Sequence, residues 1–191
     1  MIVLIFPDLR RNMHLLKEFF MQAKTYIKGI GYYFFAEILC LFLTVTLVML
    51  GNLFFKILCA ICCMGVLICL IVNFAINCEK NDRKYGINRS MRRPLLLGLS
   101  ASSAYLVFYF LLLLARLQIL PDDFYRIYKL LNAPFMMICN FTESGVLASE
   151  LGMAALILFF VLSLVPMAVC VITYIMCARD MIPEDFMFQK K

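Results

Sequence analysis

Four long, nearly uncharged runs constrain this chain more than any other feature of its sequence. They extend over Tyr32 to Leu50, Ile57 to Ile76, Pro94 to Ala115 and Leu151 to Ala178. A helix of about 20 residues, rising about 1.5 Å per residue, crosses the roughly 30 Å of hydrocarbon in a bilayer. In lipid, backbone polar groups are satisfied only in helices or closed barrels, and no run has the period-two alternation of a barrel strand. We therefore predict an all-α, polytopic integral membrane protein with a four-transmembrane-helix bundle.

The composition requires an apolar environment, so we expect the lipid bilayer to be the main partner. Hydrophobic residues make up 64% of the chain and charged residues 16%, whereas soluble domains have about 45 to 50% and about a quarter. With one histidine, no metal-ligand spacing and no phosphate loop, we predict no metal, cofactor or catalytic residue. The basic connection 77–93 lies beside a span, where topology and anionic lipid explain it better than nucleic acid does.

The distribution of basic residues predicts the orientation. Fourteen Lys and Arg fall in the lead segment, the connection 77–93 and the tail, while four (Lys56, Arg116, Arg126 and Lys129) fall elsewhere. Basic residues stay on the cytoplasmic side when loops are short. We therefore predict a multi-pass protein of the plasma membrane with the N- and C-termini in the cytoplasm.

The lead segment is predicted to be an amphipathic helix over 8–28 that lies in the membrane interface. Its apolar residues recur at steps of four and three, with Gly29 and Gly31 as the expected helix break. A helix that binds a partner is the alternative. The remaining boundaries are predicted as follows: TM1 30–50, TM2 53–76, a basic cytoplasmic loop 77–93, TM3 94–117, an outer loop 118–150, TM4 151–178 and a cytoplasmic tail 179–191.

The outer loop contains a predicted short interfacial helix. Pro121-Asp122-Asp123 offers a helix start and Asn132-Ala133-Pro134 an end. The apolar stretch Phe135 to Cys139 that follows is too short to span. This region is therefore expected to lie in the outer interface or, alternatively, to dip into the bundle as a re-entrant piece, which would make it a candidate substrate gate.

Glu37 is the one acidic residue inside a predicted span, where a charge costs several kcal/mol. Because the turn Gly51-Asn52 joins the first two spans, residues whose numbers sum to about 103 should lie at equal depth. At the depth of Glu37 we predict a polar cluster that binds a proton or an ion, and its members are Glu37, Asn73, Ser100, Ser103 and Thr173. The alternatives are a neutral Glu37 that is hydrogen-bonded for packing, or one that faces another copy in an oligomer.

Cys59 and Cys62 form a Cys-x-x-Cys pair near the predicted outer end of the second span. Membrane thiol oxidases that pass electrons to quinone are similar in layout, with four spans and both ends inside. The chain departs from that pattern because Cys59 lies several residues into the apolar run and Cys139 has no outer partner.

The favoured function is that of a non-catalytic subunit or oligomeric component of a membrane assembly, in contact with its own copies or with other membrane subunits. This choice follows because the whole chain consists of spans and short connections. The alternatives are a small transporter or channel that uses Glu37, and a membrane thiol oxidoreductase that uses Cys59 and Cys62.

Overall fold

A computed structural model describes residues 6–49, 52–86, 91–143, 145 and 147–179, with side chains from residue 23 onward except Val48. Within these residues the chain is helical and has no strand, so the all-α prediction is confirmed. The elements are α1 (Phe6–Val48), α2 (Leu53–Lys84), α3 (Arg92–Arg116), α4 (Phe124–Leu130), a 3₁₀ turn (Ala133–Phe135), α5 (Met136–Thr142) and α6 (Met153–Ala178). The predictions for Gly51, for residues 180–191 and for the apolar face of residues 9–20 lie outside the described residues.

Four of these helices are long and apolar enough to cross a membrane: the segment Ala23–Leu47 of α1, and α2, α3 and α6. They form a ring, since α1 packs on α2 and α3, and α6 packs on the same two helices. The four-helix membrane bundle is therefore confirmed. We call the end of the bundle at Lys84 and Arg92 the charged end, and the opposite end, at residues 117–152, the connector end.

The antiparallel register of α1 and α2 is the predicted one. The Cys40 thiol donates to the Cys63 carbonyl at 3.6 Å, and the Cys59 thiol donates to the Thr44 hydroxyl at 3.6 Å. Both pairs of residue numbers sum to 103. A short turn leaves two antiparallel helices little freedom to slide, so their register follows from the position of the turn.

The expected helix break at Gly29 and Gly31 was wrong, because α1 is continuous from Phe6 to Val48. A glycine inside a helix costs only about 0.5 to 1 kcal/mol relative to alanine, which packing can offset. A Cβ atom at Gly29 would lie 2.8 Å from the Ser100 hydroxyl oxygen. Gly29 therefore allows α1 and α3 to approach closely instead of ending the helix.

The predicted loop 77–93 is also shorter than expected, because α2 continues to Lys84. Glu79 and Asp82 lie on the buried face of this extension, at 3% and 2% exposure. Glu79 accepts a hydrogen bond at 3.2 Å from Arg83, one helical turn later. Buried acidic residues that pair with basic side chains allow the helix to continue where sequence polarity suggested a loop.

The connector end is filled by α4, the 3₁₀ turn and α5, which pack between the spans. The Tyr125 and Tyr128 rings of α4 lie against the Phe159 ring of α6, with centroids 6.0 and 5.8 Å apart. The Asp122 carboxylate accepts hydrogen bonds from the side chain and backbone of Ser149 at 2.6 and 2.8 Å, which lowers the pKa of that carboxyl. The hydrogen bonds between Asp122 and Ser149 join the start of this connection to its end.

Two helical glycines provide a matched test of close helix packing. A Cβ atom at Gly98 would lie 3.0 Å from the Met167 carbonyl oxygen, whereas one at Gly65 would meet nothing within 4 Å. We expect Gly98→Ala to lower the free energy of unfolding by about 1 to 3 kcal/mol, because a backbone oxygen cannot move aside easily. Gly65→Ala should leave it unchanged or raise it by up to about 1 kcal/mol. Unfolding in mild detergent measures both, and equal effects would contradict the α3–α6 contact.

Candidate functional site

Glu37 lies near the middle of the α1 span and is almost fully buried, at 6% exposure. Its carboxylate oxygen Oε2 accepts a hydrogen bond from the backbone N–H of Ala133 at 2.8 Å. Ala133 is the first residue of the 3₁₀ turn, where a helical backbone N–H has no partner within its own segment. Glu37 of one helix therefore caps the start of another.

This contact fixes the depth of the connection. Glu37 lies ten residues before Leu47, the end of the α1 span, which is about 15 Å along the helix axis. Ala133 reaches the same level, about halfway through roughly 30 Å of hydrocarbon. Residue 133 therefore packs inside the bundle at the level of Glu37, and the re-entrant placement of residues 133–139 stays a prediction.

Aromatic rings surround the Glu37 carboxyl group. The Tyr105 ring of α3 lies between the rings of Tyr33 and Phe135, with centroids 4.8 and 5.4 Å away. The Tyr33 hydroxyl donates to the Leu131 carbonyl at 2.6 Å, which ties the end of α4 to α1. Rings from α1, α3 and the 3₁₀ turn therefore pack together beside the Glu37 carboxyl group.

Several polar atoms at this point have no hydrogen-bond partner among the described residues. They are the second carboxylate oxygen of Glu37 (Oε1), the Tyr105 hydroxyl and the side-chain oxygen of Asn132, and each is buried. The Tyr105 hydroxyl lies close enough to the Glu37 carboxyl group to interact with it, although the two groups do not meet hydrogen-bond geometry. Buried polar atoms are nearly always paired, because an unpaired one costs about 1 to 3 kcal/mol. This set of oxygens is the main candidate functional site, and we call it the Glu37 site.

The structure does not bring Glu37 together with the other members of the predicted cluster. Asn73 is exposed and donates to the Tyr32 hydroxyl at 3.5 Å. Ser100 and Ser103 donate to carbonyl groups of their own helix, at 2.7 and 2.8 Å. Thr173 is buried on α6, diagonally across the bundle from α1. The neighbours of Glu37 are instead Ala133, Tyr105 and Cys63.

The cysteines near Glu37 form a cluster different from the predicted pair. The sulfur atoms of Cys59 and Cys63 are 3.9 Å apart, and Cys63 also contacts Cys40 on α1. Cys62 is half-buried and takes no part in these contacts. In the described part of the chain, no three His, Cys, Asp or Glu side chains are placed to hold a metal ion. The thiols here fill a narrow helix contact, as small hydrophobic residues do.

A second polar cluster lies at the charged end and was missed from the sequence. Two guanidinium nitrogens of Arg93, on α3, donate to the Asp82 carboxylate of α2 at 2.9 and 3.0 Å. The Tyr174 hydroxyl of α6 donates to the same carboxylate at 2.8 Å. We call Asp82, Arg93 and Tyr174 the ion-pair cluster. Arg93 was predicted to lie in the basic loop 77–93; two acidic residues in the same segment, Glu79 and Asp82, were the available signal for a pair.

Comparison with known proteins gives no relative for this chain. No protein-family model matches it, and no curated protein or solved structure matches it.

Removal of one partner of the ion-pair cluster should be more damaging than removal of both. Asp82 and Arg93 have side chains only 3% and 8% exposed, so Asp82→Leu alone would leave a buried cation unpaired at a cost of about 3 to 5 kcal/mol. The double variant with Arg93→Leu should lose less than either single variant. Unfolding measurements in detergent decide this, with exposed Lys80→Gln as the control. A double variant that lost the sum of the two single effects would contradict a direct pair.

The cap on Ala133 predicts a difference between two substitutions of Glu37. Glu37→Ala removes the acceptor, leaves a buried N–H unpaired and should cost about 1 to 3 kcal/mol. Glu37→Gln keeps an acceptor oxygen and should cost less. Hydrogen–deuterium exchange provides a local measurement: residues 133–139 should exchange faster in Glu37→Ala than in Glu37→Gln. Equal exchange in both variants would show that the cap does not hold this segment.

Proposed function

We propose that this protein is a small membrane transporter or channel in which Glu37 binds a proton or a small cation. The observation that carries the proposal is the Glu37 site, where buried oxygens of Glu37, Tyr105 and Asn132 lack partners at mid-depth of the bundle. Ionisable residues inside membrane spans are rare and usually mark a pathway for ions or protons. Oxygen atoms are also the ligands that hard cations prefer.

The cap on Ala133 supplies a physical link between binding and movement. A hydrogen bond to a charged carboxylate is roughly twice as strong as one to a neutral group. When Glu37 takes up a proton or a cation, the hydrogen bond that it accepts from the Ala133 N–H weakens. The proposed gate is therefore the segment Ala133–Thr142, an apolar piece too short to span that is anchored at its start by Glu37.

We propose the plasma membrane as the location and the cytoplasm as the side of the charged end and both termini. The fourteen basic residues of the lead segment, the 77–93 connection and the tail support this orientation. A protease added to intact cells should leave a tag on the carboxyl terminus uncut, and cleavage would reverse the scheme.

Transport can be measured on the purified protein in liposomes that contain a pH-sensitive dye. Under an imposed membrane potential, the protein should carry protons, or in matched assays sodium or potassium, faster than protein-free liposomes do. Glu37→Gln should abolish the flux, because it removes the titratable group while it keeps an acceptor for Ala133. Asp123→Asn, an exposed position at the connector end, should retain the wild-type flux. Equal flux in Glu37→Gln and wild type would exclude Glu37 as the site of transport.

The subunit interpretation predicted from the sequence stays a second proposal, and the thiol oxidoreductase has the least support because Cys59 contacts Cys63 and Thr44 instead of Cys62. A pull-down in mild detergent separates the first two proposals. A membrane protein that co-purifies in a fixed ratio supports the subunit proposal. Ion transport by the purified chain without any partner supports the transporter proposal.

A further inference from the structure

A groove of about 630 Å³ lies between α1 and α2, in the half of the bundle toward the charged end. Residues between Thr25 and Phe35 line it from α1, and residues between Leu70 and Asn81 line it from α2. Its lining includes the exposed residues Phe35, Asn73 and Asn77, so the groove opens on the outer surface of the bundle. Its volume falls in the range of small-molecule sites, about 300 to 1,000 Å³.

The α2 wall of the groove presents three asparagines, Asn73, Asn77 and Asn81, spaced by four and exposed on one helix face. Asn77 donates to the Asn73 side-chain oxygen at 3.0 Å, and Asn73 donates to the Tyr32 hydroxyl at 3.5 Å. Each amide has two donors and an acceptor, so these bonds use only part of the available capacity. Polar groups that face hydrocarbon are costly unless something pairs with them. An occupant with hydrogen-bonding groups would complete the pairing of this amide wall.

The charge of the groove favours an anion. Lys28 lines it and is exposed, and no carboxylate is among the lining residues. The nearby acids Glu79 and Asp82 are buried on another face of α2. Among the described residues that line the groove, Lys28 is the one charged side chain.

The groove changes in polarity along its length. It runs from Lys28 and Asn81, at the charged end, past Asn77 to the apolar side chains of Phe35 and Leu70. The distance from Asn81 to Leu70 along α2 is about 16 Å. A phospholipid has the same order of groups over a similar length: a charged phosphate, ester carbonyls and then acyl chains.

We propose that this groove binds one anionic phospholipid. The phosphate lies at Lys28 and Asn81, an ester carbonyl accepts from the Asn77 amide, and an acyl chain runs along Phe35 and Leu70. A second copy of the chain is a poorer occupant, because a two-fold contact at this groove would bring the two Lys28 ammonium groups together. The site is separate from the Glu37 site, which lies deeper and on the interior face of α1.

Native mass spectrometry in neutral detergent tests the proposal with dioleoyl phosphatidylglycerol and dioleoyl phosphatidylcholine. We expect one phosphatidylglycerol to bind and phosphatidylcholine to bind more weakly. Lys28→Gln should weaken phosphatidylglycerol binding about tenfold or more, as expected for the loss of a charge-assisted contact. Lys80→Gln is the matched control, since Lys80 is exposed near the same end of the bundle, on α2, but does not line the groove; it should change affinity by less than about twofold.

Further arms distinguish the remaining occupants. Asn77→Leu, which keeps Lys28, should weaken binding of both lipids through the lost ester contact. Equal losses of phosphatidylglycerol affinity in Lys28→Gln and Lys80→Gln would show non-specific charge attraction and would overturn the proposed lipid site. Binding of soluble glycerol phosphate as tight as that of phosphatidylglycerol would overturn the lipid assignment. Light scattering measures the oligomeric state as a last check. If Asn77→Leu converts an oligomer into monomers while lipid binding is unchanged, the groove binds a second copy of the chain and the lipid proposal is overturned.

Discussion

The hydrogen bond from the Ala133 N–H to the Glu37 carboxylate decides the architecture of this protein. Lipid offers no partners to a backbone, so a chain that enters the membrane without crossing it must satisfy its first N–H groups from the surrounding protein. Glu37 does this at 2.8 Å. With that cap in place, the short apolar segment Ala133–Thr142 can pack against α1 and α2 at mid-depth, and the Tyr33 and Tyr105 rings close around the junction.

The spans were predictable because their cause is local. Length and hydropathy alone identify four helices, and the short connection between Val48 and Leu53 fixes the register that places Cys40 against Cys63. The helix ends were less predictable, because they depend on partners distant in sequence. Gly29 looked like a break but is a contact with α3, and Glu79 and Asp82 looked like loop residues but extend α2 because they find Arg83 and Arg93.

In the candidate site, too, local features were predictable from the sequence and long-range contacts were not. Glu37 could be singled out from the sequence, since an acid in an apolar run stands out without any knowledge of the fold. It gave the wrong neighbours, because equal depth does not determine which helix faces which. Ser100 and Ser103 bond within α3, while the actual partner, Ala133, contributes a backbone group that no residue type reveals. A contact between residues 96 positions apart through a main-chain N–H leaves no pattern in a single sequence.

The two buried carboxylates differ in a way that separates stability from function. Asp82 accepts two bonds from Arg93 and one from Tyr174, so both of its carboxylate oxygens are paired, and its removal would break contacts among three helices. Glu37 accepts one bond from a backbone group and leaves an oxygen unpaired beside the Tyr105 hydroxyl. A carboxylate that only stabilises a fold gains nothing from an unpaired buried oxygen, whereas one that takes up and releases a proton or cation needs such a free position. The proposed function therefore rests on the unpaired carboxylate oxygen of Glu37 rather than on its burial.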